Sequence, residues 1–423
     1  MGQTFVEKIF SRKMGKPVLP GEIVEVEPDV AMSHDNTSAI AGIFNKIGVK
    51  KIARPDIHVV ILDHAAPAPN EIIAKNHKTV REFVKEQGIK RFHDINTGIC
   101  HQVMCEKGYV LPGMVAVGSD SHSCMYGAVG AFGTGIGRSE MAVVFATGRL
   151  WFRVPETIKV YLDGKMPKGV TSKDLMLKIA KKIGTDGAIY KMLEFTGPLI
   201  GRLSVAQRMI FPNMAVEIGA KGGFVEPDAT MEAWIRERSD APYTVVRPDA
   251  DAVYEATYEF DCTDLQPQVA MPHDIDRAFD VGEVKGVKID QLMLGTCCNG
   301  RLEDFEVTAK ILKGKKIAPS VRFLALPASM DIYLEALKKG YIQTLIEAGV
   351  VVMNPGCGPC MGAHEGILAP GEVALTTSNR NFKGRMGCKE ADIYLGSPAT
   401  VAASALTGHI TDHREIGWLE EEK

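Results

Sequence analysis

IDQLMLGTCCNGR, residues 289–301, is an apolar run that breaks off in glycine, threonine and two adjacent cysteines. A short apolar run with that ending reads as a strand whose C-terminal loop carries the chemistry. The same pattern recurs in SVRFLALPAS (320–329), VVVMNPGCGPCMG (350–362) and VALTTSNRNFKGR (373–385), each an apolar strand running into Gly, Ser, Asn or Cys. Nearer the N-terminus, HVVILD (58–63) and MVAVGSD (114–120) do likewise, alternating with amphipathic runs at 71–86 and 139–152. That alternation predicts α/β architecture, with function collected at the strand C-termini.

Three units follow from the punctuation of the chain. The first, residues 1–155, opens with a short helix: Thr4 and Glu7 form a capping box and Gly15 is its stop. The second, 156–275, restarts with the strand PETIKVYLD, continues in a helix capped by Thr171 or Ser172, and closes on a strand at 254–261 and the proline-rich LQPQVAMPHDID. The third, 276–423, holds the cysteine loops, and its strand-to-loop rhythm makes it a weak pseudo-repeat of the first.

Composition excludes several function classes. The 423 residues carry 49 Lys plus Arg and 52 Asp plus Glu, a formal charge of −3, so nothing draws the chain to a phosphate backbone and no nucleic-acid partner is expected. The charge-free stretches 121–137 and 393–411 are broken by Gly, Ser, Thr and Pro, so no membrane span is expected. The N-terminus lacks an apolar signal core, and nine sparse cysteines do not make a disulfide scaffold; a cytoplasmic protein with free thiols is the expectation.

Cys357 and Cys360 in GCGPC have a metal or redox spacing, and Cys297 reaches them only through the fold. Structural zinc would need Cys298 to share an ion with its neighbour although adjacent side chains diverge; a redox dithiol and an iron–sulfur cluster are the other readings. Three cysteine ligands would leave one iron of a 4Fe-4S cluster open as a Lewis acid, whereas a fourth from Cys298 would close it for electron transfer. Asp63 with His64, Asp120 with His122, and His101 in GICHQV sit at strand ends or before apolar runs, and carboxylate–imidazole pairs of this kind suit general acid chemistry. Glu194 and the loop residues His34 and Asp35 are weaker candidates, the latter with an N-cap role at Asp35 or Thr37 as the plain alternative. Arg380 and Arg385 in SNRNFKGR are suited to binding the carboxylates of an anionic substrate. GAFGTGIGR is not the dinucleotide fingerprint, since Arg138 stands where the third glycine belongs, and neither a phosphate-loop motif nor H-E-x-x-H occurs.

Taken together, LGTCCNGR, NPGCGPCMG, SNRNFKGR, VGSDSH, GICHQV and LDHAAP resemble the aconitase superfamily, and the resemblance runs from MGQTFVEKI to SPATVAASALTG. It implies three α/β/α domains around one 4Fe-4S cluster held by Cys297, Cys357 and Cys360, with one iron free of cysteine. It also implies that Asp63 and His64 protonate the departing hydroxyl, with Asp120–His101 and Glu194–His122 as supporting pairs. Asn379 would contact the cluster, Arg380 and Arg385 the substrate carboxylates, and His34 the polar wall. Cys298 stands where the family commonly has Thr. The swivelling fourth domain with its serine base is not found in this sequence, so the resemblance implies a partner small subunit, without which the chain holds its cluster but is inactive. The expected reaction is isomerisation of a 2-hydroxy di- or tricarboxylate by dehydration and rehydration, with 2-isopropylmalate as substrate and homocitrate or dimethylmalate as alternatives. A closed-cluster electron carrier or iron sensor is the rival of a different class; an RNA-binding apo form is opposed by the charge.

Overall fold

A computed structural model describes residues 2–419. The first unit is a five-stranded parallel sheet in the order 91–93, 58–61, 30–33, 115–118, 132–135. Val30–Ser33, His58–Ile61 and Val115–Gly118 are buried along their whole length, because helices cover both faces. The second unit is a four-stranded parallel sheet in the order 222–225, 192–196, 157–163, 256–261. The third is seven-stranded; five strands (392–396, 373–376, 291–294, 322–325, 351–352) run parallel, and 268–270 and 278–280 add antiparallel at one end.

Local signals placed most of these elements. Helix Phe5–Met14 starts at Thr4, whose N–H donates to Glu7 Oε2 at 2.7 Å, and Thr171 caps Ser172–Ile183. Two expectations need correction. The amphipathic run 139–152 is a helix only as far as Thr147: Gly148, at φ 72°, takes the left-handed turn that ends it, and Leu150–Arg153 pairs antiparallel with Ile23–Val26. Gln268–Ala270, placed in the second unit by the boundary at 275, hydrogen-bonds into the third sheet.

The units share interiors. The core around the second sheet continues into the third unit and takes in Cys297, Cys298, Cys357 and Cys360, so the cysteines lie where units meet rather than on a surface. Among the described residues no helix is long and apolar enough to cross a membrane.

Candidate active site

The loop after His58–Ile61 is fixed from beneath by one carboxylate. The N–H groups of Asp63, His64 and Ala65 donate to Asp35 at 2.9, 2.9 and 3.1 Å, and His77 Nε2 bonds the same group at 2.8 Å. Burial pushes the Asp35 carboxyl up, but the His77 bond and the neighbouring imidazoles hold it well below the usual carboxylate range. Asp35 is therefore a half-buried anchor, and the cap position of helix Thr37–Ile47 falls to Asn36. Asp63 in turn joins three loops: Oδ1 lies 2.8 Å from His64 Nδ1, Oδ2 accepts from Cys100 N at 2.6 Å, and its carbonyl accepts from Cys357 N at 2.9 Å. Gly356 permits that last approach, since a Cβ there would stand 2.6 Å from the Asp63 carbonyl oxygen.

Asp120, after Val115–Gly118, is the hub for three imidazoles. His101 Nε2 lies 2.8 Å from Oδ1, His64 Nε2 3.4 Å from Oδ2, and His122 Nδ1 3.5 Å from Oδ1. Burial raises the Asp120 carboxyl, but these three partners bring it well below the ordinary range. Burial alone would discharge His64; Asp63 and Asp120 on either side override it and hold the imidazole well above 6.5. His34 stacks on His64 with centroids 3.9 Å apart, and burial together with that neighbour's charge lowers it to about 4. His101 is lowered too, burial outweighing its bond to Asp120. His64 is thus held protonated beside His34 and His101, in which burial favours the neutral form, as a proton donor to a leaving group requires.

The expected pairing of Glu194 with His122 is not formed. Glu194 sits on strand Met192–Thr196, where it accepts from Phe5 N at 2.7 Å and Tyr254 Oη at 2.8 Å. It anchors the N-terminal helix, and burial raises it to about 7. His122 Nε2 instead meets Glu217 Oε1 at 2.7 Å, and Arg380 Nε donates to the same oxygen at 2.6 Å. Burial pushes Glu217 up, but His122 and Arg380 bring it below its ordinary range. Sequence reasoning missed Glu217; the available signal was Asn213 and Glu217 four residues apart within the otherwise apolar NMAVEIGA.

The cysteines converge on the same place. Asn379 lies after strand Val373–Thr376; its Nδ2 is 3.3 Å from Cys297 Sγ and donates to Asn213 Oδ1 at 2.8 Å, and its Oδ1 is 3.8 Å from Cys360 Sγ. Arg385 Nη2 is 3.5 Å from Cys360 Sγ, while its buried Nε has no partner, so the guanidinium keeps donors for an anion. Accepting from Cys357, against the effect of burial, and facing Arg385, Cys360 is held well below the usual thiol range. Cys298 turns elsewhere, its Sγ lying 3.5 Å from Lys173 Nζ.

These residues suit an iron–sulfur cluster. Cys297, Cys357 and Cys360 are all buried, Asn379 lies against the sulfurs of both Cys297 and Cys360, and burial pushes the Cys297 thiol up to about 12. An unpartnered cationic donor and an amide aimed at sulfur complete the donor set. A cavity of about 580 Å³ is a different place: it is lined by Gln102, Glu106, Trp234, Arg301 and Glu303 among others and includes none of the cysteines or catalytic candidates.

An α/β fold that buries an imidazole–carboxylate chain beside three convergent thiols defines an enzyme with a sulfur-ligated metal centre. Residues 7–286 and 280–408 match the aconitase family (aconitate hydratase), and the chain belongs to that family of hydro-lyases, which implies an iron–sulfur cluster here. It is 49% identical to 3-isopropylmalate dehydratase large subunit 1 of Methanopyrus kandleri, covering 98% of this chain and 99% of that protein. A probable 3-isopropylmalate dehydratase large subunit of Methanothermobacter thermautotrophicus is 50% identical, over 97% and 99%. A probable methanogen homoaconitase large subunit of Methanosarcina mazei is 51% identical, over 92% and 99%.

Proposed function

We propose that this chain is the cluster-bearing large subunit of a cytoplasmic hydro-lyase that converts 2-isopropylmalate to 3-isopropylmalate in leucine biosynthesis. The observation that carries the reading is the meeting of Cys297, Cys357 and Cys360 with Arg385 and the Asp63–His64–Asp120 chain. Cys297, Cys357 and Cys360 would hold a 4Fe-4S cluster with one iron free of cysteine, which when bound supplies a Lewis acid for the substrate hydroxyl and a carboxylate. His64, kept protonated by Asp63 and Asp120, gives its proton to the departing hydroxyl. Asp120 with His101, and Glu217 with His122, hold the neighbouring imidazoles and pass protons toward the same point.

Arg385 takes a substrate carboxylate with its unpartnered edge. Arg380 is oriented by Glu217 and presents its remaining N–H groups to a second carboxylate. Asn379 fixes the Cys297 sulfur, and neutral His34 forms the polar wall beside His64. The base that removes the Cα proton is assigned to a partner small subunit, which the name "large subunit" of the relatives supports. Homocitrate is the second reading, favoured by the equally similar Methanosarcina mazei relative.

The test is anaerobic reconstitution of the full chain with a small subunit, followed by the ultraviolet absorbance of the conjugated alkene acid. Turnover of 2-isopropylmalate but not homocitrate is expected. Turnover of neither, by a chain that carries iron, sinks the proposal. An electron paramagnetic resonance signal of a 3Fe-4S cluster after mild oxidation, lost when iron is restored, is the expected mark of three cysteine ligands.

A further inference from the structure

Lys173 has none of its surface exposed, yet it ends in an ammonium. It is the second residue of helix Ser172–Ile183, where the helix dipole already disfavours a cation. Its Nζ donates to the carbonyls of Ser378 at 2.6 Å and Thr377 at 3.2 Å and lies 3.5 Å from both Cys298 Sγ and Met214 Sδ. No carboxylate pairs with it among the described residues. The adjacent Asp174 is committed elsewhere, accepting from Thr171 N and Gln268 N at 2.9 Å each. A buried ion without a partner is strongly disfavoured, so a compensating charge is to be sought nearby.

Arg301 reaches the same turn from another side. That side chain is also buried and also bonds carbonyls, those of Cys297 and Cys298 at 2.7 Å each, but its guanidinium has further side-chain partners in Gln102 Oε1 at 3.1 Å and Met125 Sδ at 3.4 Å, and Asp304 accepts from its backbone at 2.9 Å. Lys173 has only neutral partners, and both loops it bonds lead at the next residue into the cluster pocket: Cys298 follows Cys297, and Ser378 precedes Asn379, whose amide lies 3.3 Å from the Cys297 sulfur.

We infer that Lys173 is a positioning residue for the cysteine centre, fixing the Cys297–Cys298 turn against the Thr377–Asn379 loop and supplying the positive charge that balances the thiolates of a bound cluster. This rests on the cluster reading above. It accounts for a lysine in the core of the second unit: in the loaded state Cys297, the chain neighbour of Cys298, is necessarily a thiolate and supplies negative charge nearby, which the cluster-free state does not require. A lysine serving only to tie two loops would be equally useful in both states.

The experiment uses the full chain, reconstituted anaerobically, with Lys173→Gln and Lys173→Met beside the parent. Gln keeps a donor for the carbonyls without the charge; Met keeps the length without either. Removing a cation disfavours adding an electron, so at the parent's midpoint the ratio of reduced to oxidised cluster should fall about tenfold in Lys173→Gln, a shift of about 59 mV for a one-electron couple. Both variants should lose more melting temperature in the loaded than in the apo form. Failure of Lys173→Gln to hold iron while its apo form melts like the parent also supports the inference. An unchanged midpoint, or equal destabilisation of apo and loaded forms, overturns it. A parent that takes up no iron sinks the cluster reading and this inference with it.

Discussion

Replacing Glu217 by Gln should slow the enzyme while leaving its fold intact. One oxygen, Glu217 Oε1, receives both His122 Nε2 at 2.7 Å and Arg380 Nε at 2.6 Å. A glutamine carbonyl can occupy the same place and accept both, but without charge. Hydrogen bonds to charged groups contribute about 1.5–3 kcal/mol and neutral ones about 0.5–1.5, so each bond weakens by about 1 kcal/mol and the pair by about 2. If that loss appears in the transition state, kcat/KM falls about thirtyfold, since 1.36 kcal/mol is tenfold. The assay is steady-state alkene formation by the reconstituted two-subunit enzyme, with iron content confirmed for each variant. Glu194→Gln is the control, because Glu194 bonds Phe5 and Tyr254 rather than any residue of the site. Parent-like kinetics for Glu217→Gln together with a large loss for Glu194→Gln would refute the assignment.

Glu194 makes its own prediction, in stability. The folded protein keeps this proton to about pH 7, whereas an unfolded glutamate loses it near 4.5, so the contribution is fully present below about 4.5 and up to about 3 kcal/mol of it is lost as pH rises to 7. Urea unfolding of apo chain across that window should show the decline, and Glu194→Gln should flatten it. Cys298→Ser should keep iron stoichiometry and the 3Fe-4S signal of the parent, whereas Ser at Cys297, Cys357 or Cys360 should abolish them; loss of the cluster in Cys298→Ser alone would reverse the ligand assignment. Arg301→Met leaves the carbonyls of Cys297 and Cys298 and the Gln102 amide without their donor, and should speed chelator-driven iron loss at least tenfold. Arg301→Lys, with fewer donors in a different geometry, should restore only part of that.

Much of the site was legible because each part is announced locally. An apolar run ending in a Gly–Cys or Asp–His loop is a strand with chemistry at its C-terminus wherever it docks, so Asp63, Asp120, Cys297, Cys357 and Arg380 could be marked one by one. Asp35 was half-seen: its loop was read as polar, but accepting three N–H groups from a loop 28 residues and more away leaves no local trace. Glu217 and Glu194 exchanged places for the same reason. Both are single glutamates in apolar surroundings, and only the packing of helix Val205–Ala215 against 121–129 decides which one reaches His122.

Sequence alone determined the element types, the strand-end loops and the residue chemistry, because periodicity, caps and turn residues act within a few positions of the chain. The tertiary structure decided the partners. It turned Cys298 toward Lys173 and Cys297 toward Asn379, although they are neighbours in the chain, and it gave Glu217 rather than Glu194 to His122. Such choices depend on where separate sheets come to rest. A hydrogen bond across 95 residues is set by burial and close packing of whole layers, to which no short stretch of sequence is sensitive.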